Sequence, residues 1–182
     1  MRTREYSHPA LTEFAAIAGA FCKAIADVDH RTPEAQLDQI HRLLPRTYLA
    51  ALQLPDTSVL FDDHDDSVER EPDAAHPVLA PPQGLDQLAN FLGKRRFYRE
   101  VFDPYAELSD GEVTGDIIDD LGDIYRDLQR GLVHWQSGRS GEALWEWRFN
   151  FQIHWAEHAT SALRAIFALS AWNDVPWPTG AG

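Results

Sequence analysis

The sequence predicts an all-α, single-domain helical bundle of about five to six helices with one long acidic loop. Apolar residues recur at helical spacing along most of the chain. No alternating apolar and polar run or Asn-Gly turn, either of which would indicate strands, is apparent. The chain has 182 residues, of which 44% are hydrophobic and 25% are charged. This length and composition are typical of one globular domain, so we assign residues 1–182 to a single helical domain.

The first two helices are predicted from apolar spacing and from a capping signal. Residues 9–28 place apolar side chains from Leu11 to Ile25 on one face. The second helix begins at Thr32-Pro33-Glu34, where a hydroxyl cap precedes a proline at the first helical position. It continues to Leu52. Because proline lacks a backbone N–H, Pro45 is expected to kink or break this helix near His41.

The rest of the chain is predicted as one loop, one short helix, an irregular segment and two long helices. Residues 56–82 form an acidic, proline-rich loop, and residues 85–92 form a short helix. Residues 97–108 are aromatic-rich but irregular, because Pro104 stops a helix there. Long helices are predicted over 112–135, with a start near Asp110-Gly111, and over 140–172. Residues 173–182 are predicted as a flexible tail.

The charge of the chain narrows the function classes. The formal net charge is −13, and two windows carry it: residues 56–73 have eight acids and one base, and residues 110–127 have seven acids and one base. An acidic chain repels a phosphate backbone, and the short basic cluster Lys94, Arg95, Arg96 and Arg99 is interpreted as a solvated surface. We therefore expect no nucleic-acid partner. No apolar run of about eighteen residues and no secretory signal is visible, so a cytoplasmic protein without a membrane partner is expected.

The first candidate site is a row of acids on the helix predicted over 112–135. Asp116, Asp120, Asp123 and Asp127 follow one another at spacings of 4, 3 and 4, beside the apolar face of that helix. Like charges at these spacings destabilise a helix by about 0.2–0.5 kcal/mol per pair. Three interpretations stay open: the row faces water, arginines from another helix pair with it, or a divalent cation binds it.

The last helix carries the second candidate site. It is apolar around most of its circumference, which is typical of a central helix. Arg148 points into the apolar arc and is predicted to pair with Asp120, Asp123 or Asp127. A polar row runs along the same helix, with Glu157 beside it: Glu146, Asn150, His154 and His158.

The two histidines lie one turn apart, a spacing that can chelate zinc or iron, although such histidines are also common as core or interface residues. No resident cofactor is expected. If a divalent metal binds, its candidate ligands are Asp120, Asp123, Asp127, His154 and His158.

Four segments of the chain resemble a bacterial all-helical family of unknown function. They are Asp116–Leu128, Trp145–Leu163 with its Trp-Glu-Trp-Arg-Phe-Asn and His-Trp-x-x-His motifs, Leu43–Leu49 and Val101–Tyr105. The resemblance covers about residues 35–170. It implies a single helical domain and transfers no catalytic residues.

We interpret the chain as a non-enzymatic binding domain. The acidic row and the aromatic segment 97–105 are expected to bind an unknown protein or small-molecule partner, and a homo-oligomer is left open. The alternative is a divalent-metal-dependent phosphohydrolase that resembles the all-helical nucleotide pyrophosphatases. It would use the acidic row, or Glu146 with His154 and His158. Against it, no lysine or arginine set suitable for clamping a triphosphate stands out beside the acidic row.

Overall fold

The computed structural model describes residues 8–27, 32–57, 81–101, 105 and 111–172. In these parts of the chain the elements are α1 (Pro9–Ala26), α2 (Pro33–Leu52), α3 (Gln83–Leu92), β1 (Phe97–Glu100), β2 (Val113–Asp116), α4 (Ile117–Gln136), α5 (Ser140–Asn150) and α6 (Ala156–Trp172). A 3₁₀ turn at Gly93–Arg96 joins α3 to β1. A π-helical turn at Phe151–Trp155 joins α5 to α6. The predicted single-domain, mostly helical fold is confirmed.

The helices enclose one hydrophobic core. Helix α1 packs against α2 and α4, and α4 also packs against α5 and α6. Phe14 and Trp147 are fully buried and meet edge to face, with 4.9 Å between their ring centroids. Burying each such side chain contributes about 1.5–3 kcal/mol. The contacts centre on α4, so its polar flank is held next to the helices that follow it.

The predicted helices are present, with corrections in α2, at the start of α4 and at residues 151–155, where a π turn divides the helix predicted over 140–172. Thr32 caps α2, and its hydroxyl accepts a hydrogen bond from the Ala35 N–H at 3.3 Å. The break predicted at Pro45 is wrong, because α2 continues without interruption to Leu52. Pro45 lies on the exposed side, while Leu44 and Thr47 beside it are buried. Their packing holds the helix although one intrahelical hydrogen bond is missing.

An antiparallel two-stranded ribbon forms where the sequence predicts irregular structure and the start of a helix. Strands β1 and β2 pair with Tyr98 opposite Gly115, so the irregular structure predicted from residue 97 and the helix predicted from residue 112 are both wrong there. A Cβ at Gly115 would lie 2.6 Å from Cε2 of Tyr98, and glycine therefore lets the tyrosine ring approach the backbone. Helix α4 begins after Asp116, whose carboxylate accepts from the Ile118 N–H at 3.0 Å. Asp110 lies outside the described residues.

Helix α1 is long and apolar enough, by length and composition, to cross a membrane. Eight of its residues are buried in the structure, and the buried core helix of a soluble protein meets the same criteria. Residues 58–80 of the predicted acidic loop and the tail predicted over 173–182 lie outside the described residues.

Candidate metal centre

Packing places the acidic row at the edge of the core. Ile117, Leu121 and Ile124 on the apolar face of α4 are fully buried. Asp120 and Asp127, on the flank of that face, are only 5% and 1% exposed. The interpretation of the row as a water-facing surface is therefore wrong for these two carboxylates. Buried carboxylates need hydrogen-bond partners, and both have them.

Two histidines of the predicted polar row, His154 and His158, are hydrogen-bond partners of these two carboxylates. Nδ1 of His154 lies 2.7 Å from Oδ2 of Asp127, and Nδ1 of His158 lies 2.9 Å from Oδ1 of Asp120. The two imidazole rings are close, with 4.9 Å between their centroids. Because each Nδ1 faces a carboxylate, Nε2 is the nitrogen of each ring that is left for another ligand. Nε2 of His158 lies 3.5 Å from Oδ2 of Asp123.

The three members of the acidic row within α4 use their carboxylate oxygens for different partners. Asp120 uses Oδ1 for His158 and Oδ2 for the Tyr98 hydroxyl, which donates at 2.6 Å. Asp127 uses Oδ2 for His154 and Oδ1 for Arg130. In Asp123, Arg126 pairs with Oδ1 and leaves Oδ2 towards His158. Asp123 is thus the aspartate of the three with an oxygen available beside the imidazole nitrogens.

One atom each from Asp123, His154 and His158 could hold a metal ion, since these atoms lie within 4.8 Å of one another. A transition metal with bonds of about 2.1 Å requires ligand atoms about 3–4 Å apart, so small side-chain adjustments suffice. Metal-binding histidines commonly donate their other ring N–H to a carboxylate, which orients the ring. Asp127 and Asp120 stand in that position behind His154 and His158. Of the five predicted metal ligands, three could therefore hold a metal ion, and the other two lie where orienting groups would be.

Electrostatics of the site follow from these contacts. The hydrogen bond to Asp120 raises the pKa of His158, although burial of the ring opposes this shift. Asp119 and Glu157 add to the increase through their charges. A metal must displace the Nε2 proton of such an imidazolium before it can bind. Burial, followed by the bond to Asp120, raises the pKa of Tyr98 far above its ordinary value, so its hydroxyl remains a donor.

Arginines do pair with the acidic row, but not the predicted one. Nη1 of Arg148 donates to the Leu54 carbonyl at 3.1 Å and ties α5 to the end of α2. The predicted pairing of Arg148 with Asp120, Asp123 or Asp127 is therefore wrong. Arg126 and Arg130 come from α4 itself, three residues after Asp123 and Asp127. Arg96 precedes β1 and pairs with the remaining member of the row, Asp116.

The other predicted polar residues lie behind or beside the centre. Glu146 is buried, and its Oε1 lies 3.1 Å from Nε of Arg130. Nδ2 of Asn150 donates to the same oxygen at 3.0 Å. Glu146 and Asn150 thus support Arg130 rather than face a metal. Glu157 is exposed and acts on His158 through its charge.

Three residues that were not predicted as individual site residues extend this cluster, and two of them lie in the aromatic segment 97–105. Tyr98 bonds Asp120, and its hydroxyl also lies 3.2 Å from Oε2 of Glu100. The Ser161 hydroxyl donates to the other oxygen of Glu100. Tyr98 lies 22 residues before Asp120, and Glu100 lies 61 residues before Ser161. No periodicity links such distant positions, and the ribbon that joins them was not predicted.

Comparison with known proteins adds a family and a fold. A family model described as a domain of unknown function (DUF5063) matches residues 6–171. The chain is also similar to the crystal structure of protein BF1032 from Bacteroides fragilis, with 20% sequence identity and a TM-score of 0.64. That similarity covers 89% of this chain and 92% of the other, and it shows a shared fold. No curated protein matches the chain.

Proposed function

Because this chain belongs to the family of domains of unknown function DUF5063, whose description names no activity, we propose its function from the site alone. The proposed function is that of a helical binding domain loaded with one divalent transition metal. Asp123, His154 and His158 are the proposed ligands. The observation that carries the proposal is the contact of each histidine Nδ1 with its own carboxylate, at 2.7 and 2.9 Å. Because Nδ1 of each ring is occupied, Nε2 is the nitrogen of each histidine that would bind the metal.

The donor set selects a class of metal. Two imidazoles and one carboxylate suit zinc, iron, cobalt or nickel, whereas magnesium and calcium prefer oxygen ligands throughout. Three protein ligands leave at least one coordination position free, as in zinc sites that bind water or substrate. The His154 side chain is 41% exposed, so the proposed site is open to solvent. A partner or a small molecule would bind at that free position.

The phosphohydrolase alternative has less support. Magnesium-dependent hydrolysis would need an oxygen-rich site, but here two imidazoles lie beside the Asp123 carboxylate. Arg96, Arg126 and Arg130 each already pair with a carboxylate of the acidic row. The negative charges of the exposed Asp119 and Glu157 also act on His158. This negative charge at the site disfavours a polyanionic substrate.

Thermal unfolding with added metals tests this proposal. After treatment with EDTA, the full chain would be melted with Zn²⁺, Co²⁺, Mn²⁺ or Mg²⁺ at about pH 8, where imidazole is mostly neutral. A metal at about 100 times its Kd should raise the melting temperature by about 5–10 °C. We expect this increase with Zn²⁺ and Co²⁺ and not with Mg²⁺.

Two variants make the test specific. Asp123→Asn removes the proposed oxygen ligand and should abolish most of the increase caused by Zn²⁺. Glu157→Gln removes one negative charge beside His158 without removing a ligand, and should keep most of it. The absence of any increase in wild-type protein would overturn the metal site. An Asp123→Asn variant that responds like the wild type would overturn the ligand assignment.

A further inference from the structure

The geometry points to Tyr98 of the ribbon as a positioning residue of the metal centre, acting through Asp120 on the ring of His158. This inference rests on the proposed metal site. It adds that the ribbon β1–β2 helps to position the metal ligands. Metal binding then stabilises the contact between the ribbon and α4, and this contact increases the metal affinity. Tyr98 itself is not proposed to touch the metal.

A short chain of contacts connects Tyr98 to the proposed ligand. The Tyr98 hydroxyl donates to Oδ2 of Asp120 at 2.6 Å, and Oδ1 of Asp120 faces Nδ1 of His158 at 2.9 Å. Asp120 is nearly buried, so few water molecules can replace a lost partner. Without the tyrosine hydroxyl, one carboxylate oxygen loses its donor, and the carboxylate can rotate away from the imidazole.

The ribbon holds the tyrosine in place. Tyr98 is half-buried and pairs with Gly115 across the strands. Its ring lies so close to the Gly115 backbone that an added Cβ would be 2.6 Å from Cε2 and 2.7 Å from the hydroxyl oxygen. Its single proton goes to Asp120, since Glu100 is farther away at 3.2 Å. Glu100 is in turn held by Ser161 of α6.

The other histidine has a comparable arrangement without the ribbon. Asp127, behind His154, is held by Arg130, which also lies 3.1 Å from Glu146. Each orienting carboxylate therefore has its own donor, a guanidinium from α4 in one case and a phenol from β1 in the other. Because the donor to Asp120 comes from β1, the orientation of the His158 ring depends on a segment that is distant in the sequence. By thermodynamic linkage, if attachment of the ribbon increases the metal affinity, bound metal stabilises the attached ribbon by the same free energy.

A cobalt titration of the full chain tests this inference. Co²⁺ has visible absorption bands that report both affinity and ligand geometry. Tyr98→Phe removes the hydroxyl alone, and we expect it to weaken Co²⁺ binding about 10–100-fold, as loss of an orienting group typically does. Its Co²⁺ spectrum should also differ from that of the wild type. Tyr125→Phe is the matched control, because the Tyr125 hydroxyl contacts Gln129 on the same helix, and it should bind Co²⁺ like the wild type.

Hydrogen exchange provides a second readout that remains informative if Tyr98→Phe destabilises the fold. In wild-type protein, Co²⁺ should slow amide exchange in residues 97–100, and the effect should be smaller in Tyr98→Phe. Equal Co²⁺ affinities and spectra for Tyr98→Phe and wild type would overturn the positioning role while the metal site stands. Failure of the wild type to bind Co²⁺ would overturn the metal site and this inference with it.

Discussion

Gly131 sets how closely α4 approaches α5, and replacing it by alanine gives a sharp prediction. An added Cβ would lie 2.5 Å from Cδ1 of the Trp147 indole, and closer still to Nε1 and Cε2. Trp147 is fully buried, and its Nε1–H donates to the Leu128 carbonyl at 3.0 Å. Since a rigid, enclosed indole cannot move aside, Gly131→Ala must strain the packing of the two helices and break this hydrogen bond.

The expected change in the free energy of unfolding is the sum of one stabilising and two destabilising contributions. Alanine in a helix is favoured over glycine by about 1 kcal/mol. Overpacking a core costs about 1–3 kcal/mol, and a buried donor left without its acceptor costs about 1–3 kcal/mol. Gly131→Ala should therefore lower the free energy of unfolding by about 1–5 kcal/mol. For a chain of this length, each kcal/mol corresponds to about 2–4 °C in melting temperature.

Gly19→Ala is the matched control for this substitution. Gly19 lies inside α1, and nothing comes within 4 Å of a Cβ added there. Only the helix preference remains, so Gly19→Ala should stabilise the protein by about 0.5–1 kcal/mol. Urea denaturation of both variants in EDTA would measure the two changes. If Gly131→Ala is as stable as the wild type, the close approach of α4 and α5 is wrong.

Two further predictions concern the residues His41 and Arg148. Burial lowers the pKa of the half-buried His41, with Arg42 adding to the shift and Asp38 opposing it. The unfolded chain therefore takes up this proton at a higher pH than the folded protein, so stability should fall as the pH drops through 6.5, the ordinary pKa, towards the lower folded value. In urea titrations across this range His41→Gln should lose less stability than the wild type, and identical pH profiles would contradict the assignment. Arg148→Met removes the donor to the Leu54 carbonyl and should cost about 1–3 kcal/mol in urea denaturation while the metal-induced thermal shift persists; loss of that shift would instead place Arg148 at the centre.

Local signals in the sequence predicted the helices because their causes are local. The cap at Thr32 and the apolar spacing of α1 and α4 act over a few residues. Helices α1 and α2 begin and end within two residues of their predicted bounds, whereas α4 begins five residues later than predicted. The ribbon was missed because each of its strands has four residues, too few to show alternation. The π turn was missed because it inserts a residue into an otherwise helical period.

Because of this insertion, regular helical spacing does not predict which side chains share a face along the whole of residues 140–172. The predicted positions of Arg148 and of the polar row assume an uninterrupted α-helix from residue 140. The π turn at Phe151–Trp155 shifts every later side chain around the helix axis. Arg148, before the turn, reaches the end of α2, whereas His154 and His158 meet the aspartates of α4.

The amino-acid sequence alone is sufficient to predict a helical domain and a row of four aspartates beside an apolar face. It also predicts two histidines one turn apart. The packing of α4 against the last helices sets which aspartate oxygens face which imidazole, and it turns Oδ2 of Asp123 towards Nε2 of His158. These contacts join residues 27 or more positions apart. Helix packing brings such residues together, and no local spacing encodes it.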